Sequence, residues 1–307
     1  MNYTLNQLQI FLRVTQFQSI TKAAESLYLT QPAVSIQLKN FQDQFNIPLT
    51  EVIGRKLFVT DFGNEIATAA EKILDEVYAI NNKTLAFKGK LTGRLKLSVV
   101  STGKYVMPFF ITGFLKQHSG VELVMEVTNK ASVLKSLQNN ETDFALISVL
   151  PEKIKLENIT LLQNKLFLVA NVENIYSKKQ YDKSIMNDLV MIFREQGSAT
   201  RIAMEKYLEK THTQIQKKIE LYSNEAIKQS VIAGLGCSIM PLIGIKNELS
   251  NGELQIIPVK GLPVKSTWQL VWMQNKKLSP VAAAFATYIR KEKNNIIKNF
   301  FGWYEEY

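Results

Sequence analysis

One cysteine in 307 residues, Cys237, excludes an internal disulfide and any zinc site built from cysteine pairs. The two histidines, His118 and His212, are too far apart in sequence to suggest a metal centre, and neither lies near a nucleophile with which it could form a catalytic pair. Glycine-rich phosphate loops are missing as well. The pair Gly234-Leu-Gly236 lacks a third glycine and precedes a strand pattern, the reverse of a dinucleotide-binding turn. Cys237 stands in an apolar, strand-like context and reads as a small core residue. No opening apolar run resembles a secretory leader, because Asn6, Gln7, Gln9 and Arg13 interrupt it, and no stretch has the length to span a bilayer. The expectation is a cytoplasmic protein with no membrane partner that is not an enzyme and carries no metal or cofactor.

With 46% hydrophobic residues the chain has material for two or three domains with real cores. Its net charge of +10 invites a nucleic-acid reading, but the distribution does not carry it. Residues 1–90 hold nine Lys and Arg against eight Asp and Glu, whereas residues 91–307 hold 28 against 19. The excess is spread over the larger part, as on a solvated surface.

The informative segment runs from Ser19 to Lys39, where two short helical patterns meet across a tight turn. Ala23, Ala24 and Leu27 recur at three and four residues, with Ser19 or Thr21 available as the capping oxygen, and small residues at those positions let another helix cross closely. Thr30 can cap a second helix, with Pro32 in the first turn, where its missing N–H costs nothing. On that helix Val34, Leu38, Phe41 and Phe45 form one stripe, which turns Gln31, Pro32, Ser35, Ile36 and Lys39 outward. Pro32 and Ile36 suit thymine methyls, Gln31 and Ser35 suit base edges or phosphates, and Lys39 suits a phosphate. Ser19 and Thr21 complete the candidate DNA-binding set. Gly54 to Gly63 reads as a turn and short strand, a wing whose Arg55 and Lys56 could follow phosphates beside a minor groove. From Phe62 to about Lys88, Ile66, Ala70, Ile73, Leu74, Val77 and Ile80 mark a long amphipathic helix suited to dimerisation, with Thr60 or Asp61 as its cap. The competing reading of the helix pair alone is a plain helical hairpin in an all-α domain.

Phe11-Leu-Arg-Val, Ser19, Ala23-Ala24, Leu27, Gln31-Pro-Ala-Val-Ser35 and Thr60–Gly63 together resemble the N-terminal domain of the LysR-type transcriptional regulators. Two positions depart from that pattern: Ile36 stands where the family often has arginine, and Thr50 where an aromatic or aliphatic residue is usual. The resemblance implies an N-terminal winged helix-turn-helix, all-α with a small wing, at 1–61. A long linker helix at 62–90 and an α/β, periplasmic-binding-protein-like domain of two lobes at 91–307 follow.

The residues themselves support the α/β expectation. Glycines and charges near Lys88–Arg94 mark a boundary, after which strand and helix patterns alternate as in a doubly wound parallel sheet. Lobe 1 is expected at about 91–167 and 265–300, and lobe 2 at about 168–264. Ligands of such folds sit where strand ends and helix N-termini meet a crevice. The positions that fit are Ser101, Thr102, Gly103, Thr128, Asn129, Ser148, Ser198, Thr200, Arg201 and Asn224, which the resemblance places around a coinducer site. Each hydroxyl could equally be an ordinary helix cap, Arg201 could pair with a surface acid, and Lys104 and Lys130 read as solvated. Asn224 to Gly236 resembles, more narrowly, regulators of carbon-fixation operons.

The expectation is a sequence-specific DNA-binding regulator controlled by a small, anionic metabolite between the lobes. The resemblance implies partners in a double-stranded operator, in RNA polymerase and in further copies of the chain as dimer or tetramer. The alternatives are a solute-binding protein, opposed by the helix-turn-helix and the lack of a leader, and an enzyme using the same two-lobed cleft.

Overall fold

A computed structural model describes residues 3–54, 56–86, 91–151, 153–173 and 176–307. The chain divides at Gly93 into two compact units.

The first unit contains α1 (Leu5–Phe17), α2 (Ile20–Leu27), α3 (Gln31–Gln42), the hairpin β1 (Thr50–Ile53) and β2 (Lys56–Val59), and α4 (Asp61–Ala86). Thr4 starts α1 through a reciprocal capping box: the Gln7 amide donates to Thr4 Oγ1 at 3.3 Å, and the Thr4 amide donates to Gln7 Oε1 at 2.8 Å. Ser19 caps α2 by accepting from the Lys22 amide at 3.3 Å, and Tyr28, at φ 55°, ends it. Ala23 and Ala24 are buried, so α2 packs closely on α1 and α3 around Phe11, Val34, Leu38 and Phe41. Burying a residue the size of Phe11 or Phe41 is worth roughly 1.5–3 kcal/mol. Phe45 lies past the end of α3 and joins Tyr3, Phe41 and Phe62 in an aromatic group, stacked on Tyr3 and edge-to-face with Phe41 and Phe62. Thr60 caps α4, accepting from the Gly63 amide at 2.9 Å, while its own hydroxyl donates to the Pro48 carbonyl at 2.7 Å. Ala67 and Ala70 of α4 join the same core, whereas Ile73, Tyr78 and Ile80 further along are exposed.

The second unit contains, in order, β3 (Thr92–Val100), a 3-10 turn at Ser101–Tyr105, α5 (Met107–Gln117), β4 (Gly120–Thr128), α6 (Lys130–Gln138), β5 (Phe144–Ile147) and β6 (Leu156–Asn171). Then come α7 (Ile185–Asp188), β7 (Val190–Arg194), α8 (Ala199–Thr211), β8 (Lys217–Leu221), α9 (Asn224–Ile232) and β9 (Ser238–Pro241). A second 3-10 turn at Leu242–Gly244 leads to α10 (Lys246–Ser250), β10 (Leu254–Ile257), β11 (Val264–Met273), α11 (Pro280–Phe301) and a last 3-10 turn at Gly302–Glu306.

The sheet is mixed, not parallel throughout. Its order is β10-β6-β11-β5-β3-β4, with β9 also paired to β6. β3 and β5 are parallel, but β11 runs antiparallel to both β5 and β6. The 16-residue β6 explains the two-lobed build. Its first part, Leu156–Leu166, pairs with β11, and its end pairs with β9 and β10 from Leu166 onward. One strand therefore serves both lobes.

In the second lobe β7 and β8 are parallel, and Cys237 bridges β7 toward β9 through its amide to the Val190 carbonyl and its carbonyl from the Ile192 amide, both 2.8 Å. Gly236 makes that approach possible, since a Cβ there would run into the Val190 carbonyl oxygen. Cys237 itself is buried in the lobe core beside Tyr176, and burial pushes its thiol up to about 11. α11 runs on to Phe301, because Ile296 and Phe301 resume the buried stripe beyond the polar run 290–295.

Candidate functional site

Two separate groups of residues emerge, one in each unit. In the first unit, α3 buries Val34, Leu38 and Phe41 and presents the opposite face. Gln31, Pro32, Ile36 and Lys39 are exposed, Ile36 at 58%, and Ser35 is half-buried. Thr30 precedes the helix without a side-chain capping bond, so its hydroxyl is not consumed there. Thr21 is exposed near the start of α2, and the half-buried Ser19 is engaged as its cap. Lys56 is exposed at the start of β2, opposite Ile53. Arg55 lies outside the described residues. The hairpin also displays Val52, Ile53 and Phe58, and the turn before α3 displays Tyr28 at 98% exposure, all apolar or aromatic surface absent from the sequence-based set.

In the second unit, a narrow pocket of about 10 Å³ separates the first 3-10 turn and the start of α6 from β7 and the start of α8. Ser101, Thr102, Asn129, Ser198 and Thr200 line it, as do Val100, Lys130, Arg194 and Ala199. Ser198 stands at the N-cap of α8 without making a capping bond, which leaves its hydroxyl to the pocket. Asn129 is committed to capping α6, its Oδ1 accepting from the Ser132 amide at 3.0 Å, and Ser101 Oγ donates to the Thr128 carbonyl at 3.3 Å. Arg194, 5% exposed at the end of β7, makes a bidentate pair with Glu195, two contacts of 2.7 Å from Nε and Nη2. Lys130 is half-buried; desolvation, and secondarily the nearby Lys206 charge, lower its pKa below the ordinary lysine value. Two cations and several hydroxyls thus face one small space, a setting that favours an anion carrying several acceptor oxygens.

Five sequence-based positions lie outside this lining. Gly103 faces inward, where a Cβ would press on Leu146 and Val99. Thr128 contributes its carbonyl to Ser101, and Ser148 is buried beyond β5. Asn224 is buried at the start of α9, with its Nδ2 lacking a partner among the described residues. Arg201 is spent on the fold: its Nη1 donates to Glu220 at 2.6 Å and to the Arg194 carbonyl at 2.8 Å, and its Nε donates to Glu205 at 2.7 Å. Arg194 and Lys130 line the pocket without belonging to the sequence-based set, where Lys130 reads as solvated. The signal was available for Arg194, a charge at the carboxyl end of an apolar strand.

Comparison with known proteins finds two family matches along the chain. Residues 5–64 match the bacterial regulatory helix-turn-helix protein, lysR family, and residues 88–294 match the LysR substrate binding domain. A RuBisCO operon transcriptional regulator of Acidithiobacillus ferrooxidans is 35% identical over 287 residues, 93% of each chain. The HTH-type transcriptional activator CmpR of Synechocystis is 33% identical over 94% of this chain and 95% of its own. Among solved structures, the regulatory domain of CcmR from Synechocystis, in complex with 2-PG, superposes with a TM-score of 0.63 at 31% identity over 68% of this chain and 99% of its own. Full-length CbnR complexed with its target DNA shares the fold at a TM-score of 0.72 and 17% identity, over 94% of this chain and 99% of its own.

Proposed function

The chain belongs to the LysR family of bacterial transcriptional regulators, and on that premise we propose that an anionic metabolite in the Arg194–Lys130 pocket controls how it sits on its operator. The observation that carries the reading is the buried guanidinium of Arg194, placed with Lys130 and the hydroxyls of Thr102, Ser198 and Thr200 around one pocket. A carboxylate or phosphate would accept from Lys130, the hydroxyls and the Arg194 N–H groups not already given to Glu195. The CcmR regulatory domain solved in complex with 2-PG makes that compound the first ligand to titrate.

Free space of about 10 Å³ holds roughly one water, so a metabolite enters only as the lobes part. β6 and β11 are the strands that run between the lobes, and flexing them supplies that motion. The ligand shifts the balance of lobe arrangements only by binding them unequally.

On DNA, α3 enters the major groove with Gln31, Pro32, Ser35, Ile36 and Lys39 toward the bases and phosphates, while Ser19, Thr21 and the Lys56 hairpin meet the backbone. Exposed Ile73, Tyr78 and Ile80 on α4 supply the apolar seam for a second copy. Paired units then read half-sites roughly 34–36 Å apart. Two such dimers form a tetramer on a longer, bent operator, from which contact with RNA polymerase follows.

Nuclease footprinting upstream of the gene and its divergent neighbour, with and without 2-PG, tests the scheme. Protection over several helical turns whose extent changes with ligand is expected. Thr102→Ala and Thr200→Ala should shift the ligand dose-response and leave ligand-free protection intact. Only salt-sensitive, sequence-independent binding would reject the regulator reading; a footprint unaffected by any anion would reject the pocket.

A further inference from the structure

A second pocket of the second unit, much roomier than the cleft, measures about 360 Å³. It opens at the far end of the same 3-10 turn whose first residues line the narrow cleft, with Lys104 and Phe109 on one lobe, Lys246 on the other, and Phe300 and Trp303 from the end of the chain. We infer that this pocket binds a small aromatic anion, a planar ring bearing a carboxylate or a phosphate.

Its size falls in the range, roughly 300–1,000 Å³, of pockets that enclose small molecules. The walls are aromatic and incompletely covered: Phe109 and Phe300 are 43% and 49% exposed, with ring centroids 5.2 Å apart. Cations sit among the rings. Lys246 Nζ lies 4.9 Å from the Trp303 centroid, and Lys104 Nζ lies 5.0 Å from that of Tyr105. A third lysine, Lys228, is neutralised by Glu248 at 2.6 Å and Glu225 at 3.2 Å. Lys104 and Lys246 are exposed and make no close ion pair among the described residues, Lys104 feeling only the more distant Glu225 charge. A hydrocarbon would gain nothing from the two ammonium groups at the rim, and a non-aromatic anion would leave the rings wet. A ring with one negative group satisfies both.

The aromatic wall is also fixed from behind. Lys165 is buried on β6, and its Nζ donates to the Tyr304 carbonyl at 2.7 Å and the Tyr307 carbonyl at 2.9 Å, while Tyr304 itself is 3% exposed. These bonds hold the turn that carries Trp303 against the sheet, so the ring is positioned before any ligand arrives. Because the pocket spans both lobes and shares the Ser101–Tyr105 turn with the cleft, occupancy of one site alters affinity at the other, and the coupling is reciprocal. The coupling rests on the cleft reading above; binding at this pocket does not.

The test is calorimetric titration of the full chain with adenosine monophosphate and with indole-3-acetate, against indole and cyclohexanecarboxylate as uncharged and non-aromatic controls. Saturable one-site binding of at least one aromatic anion is expected, with the controls at least about tenfold weaker. Preference for the nucleotide identifies a nucleotide ligand, and preference for indole-3-acetate an aromatic acid. Lys246→Met and Phe300→Ala, both at exposed side chains that the fold does not need, should each weaken binding by about tenfold, and Thr102→Ala in the cleft should not. No saturable binding of either anion, equal binding of the controls, or binding that survives Lys246→Met and Phe300→Ala but fails in Thr102→Ala would overturn the proposal. Operator footprinting is read independently, so failure here leaves the regulator reading untouched.

Discussion

Arg201 Nη1 donates to a Glu220 carboxylate oxygen at 2.6 Å, tying the start of α8 to β8 across the end of β7, whose Arg194 carbonyl accepts from the same nitrogen. The guanidinium is 5% exposed and makes a further contact with Glu205. Arg201→Ala therefore leaves a buried carbonyl and two carboxylates short of a donor. Hydrogen bonds involving charged groups are worth about 1.5–3 kcal/mol each when buried, and the partial exposure of both glutamates keeps the expected loss near the lower end. Urea unfolding should show the destabilisation. Unchanged stability with abolished anion binding would instead move Arg201 into the ligand site.

Gly63 is needed for a different reason. A side chain there would drive its Cβ into the Leu49 carbonyl, the same oxygen that accepts from the Thr60 amide at 3.1 Å and anchors the wing to the start of α4. Backbone cannot rotate away as a side chain can. Gly63→Ala should cost about 1–3 kcal/mol of stability in the DNA-binding unit and loosen the wing, read as a lower midpoint in thermal unfolding of the full chain. A variant as stable as the parent would show that the hairpin re-seats freely.

How much of this was legible in the sequence varied with the physics involved. The helix-turn-helix was readable because local rules fix it: caps at Ser19 and Thr60, alanines at the crossing, and a stripe at helical spacing. Pocket-lining residues on turns, such as Ser101, Thr102 and Ser198, were legible because hydroxyls follow strands there. What the sequence did not show about the lining has one cause. Arg201 and Arg194 both carry charges at element ends, and nothing local reveals that Arg201 turns back to Glu220 while Arg194 faces the pocket. That choice depends on β8, whose half-exposed pattern at Lys217–Leu221 gave no strand signal. The mixed sheet was hidden likewise, since strand direction is set by partners distant in sequence.

Ile36 offers a test of groove recognition. It is 58% exposed on the presented face of α3, where an apolar side chain can meet a thymine methyl but cannot neutralise a phosphate. Ile36→Arg should steepen the dependence of log K on log salt by about one phosphate contact and alter base preference at one position per half-site. Ser35→Ala and Pro32→Ala should weaken specific binding without lowering stability. Filter-binding titrations over a salt series measure all three, and identical slopes for parent and Ile36→Arg would place residue 36 away from the DNA.

Lys130 should reveal its role through opposite effects on stability and affinity. Burial and Lys206 lower its pKa in the folded chain below the 10.5 expected when unfolded. Below the lowered folded value the unfolded state holds its proton more favourably, so the charged lysine destabilises the ligand-free fold. The penalty is progressively relieved as pH rises from the folded value toward the unfolded one. An anion in the pocket acts in the opposite sense, favouring the ammonium form, so its binding should weaken as pH climbs through the lowered pKa. Lys130→Met should then raise the unfolding midpoint of the ligand-free protein, weaken 2-PG binding and flatten the alkaline fall in affinity. A structural lysine behaves otherwise: its loss would lower stability and leave the pH profile of binding where it was.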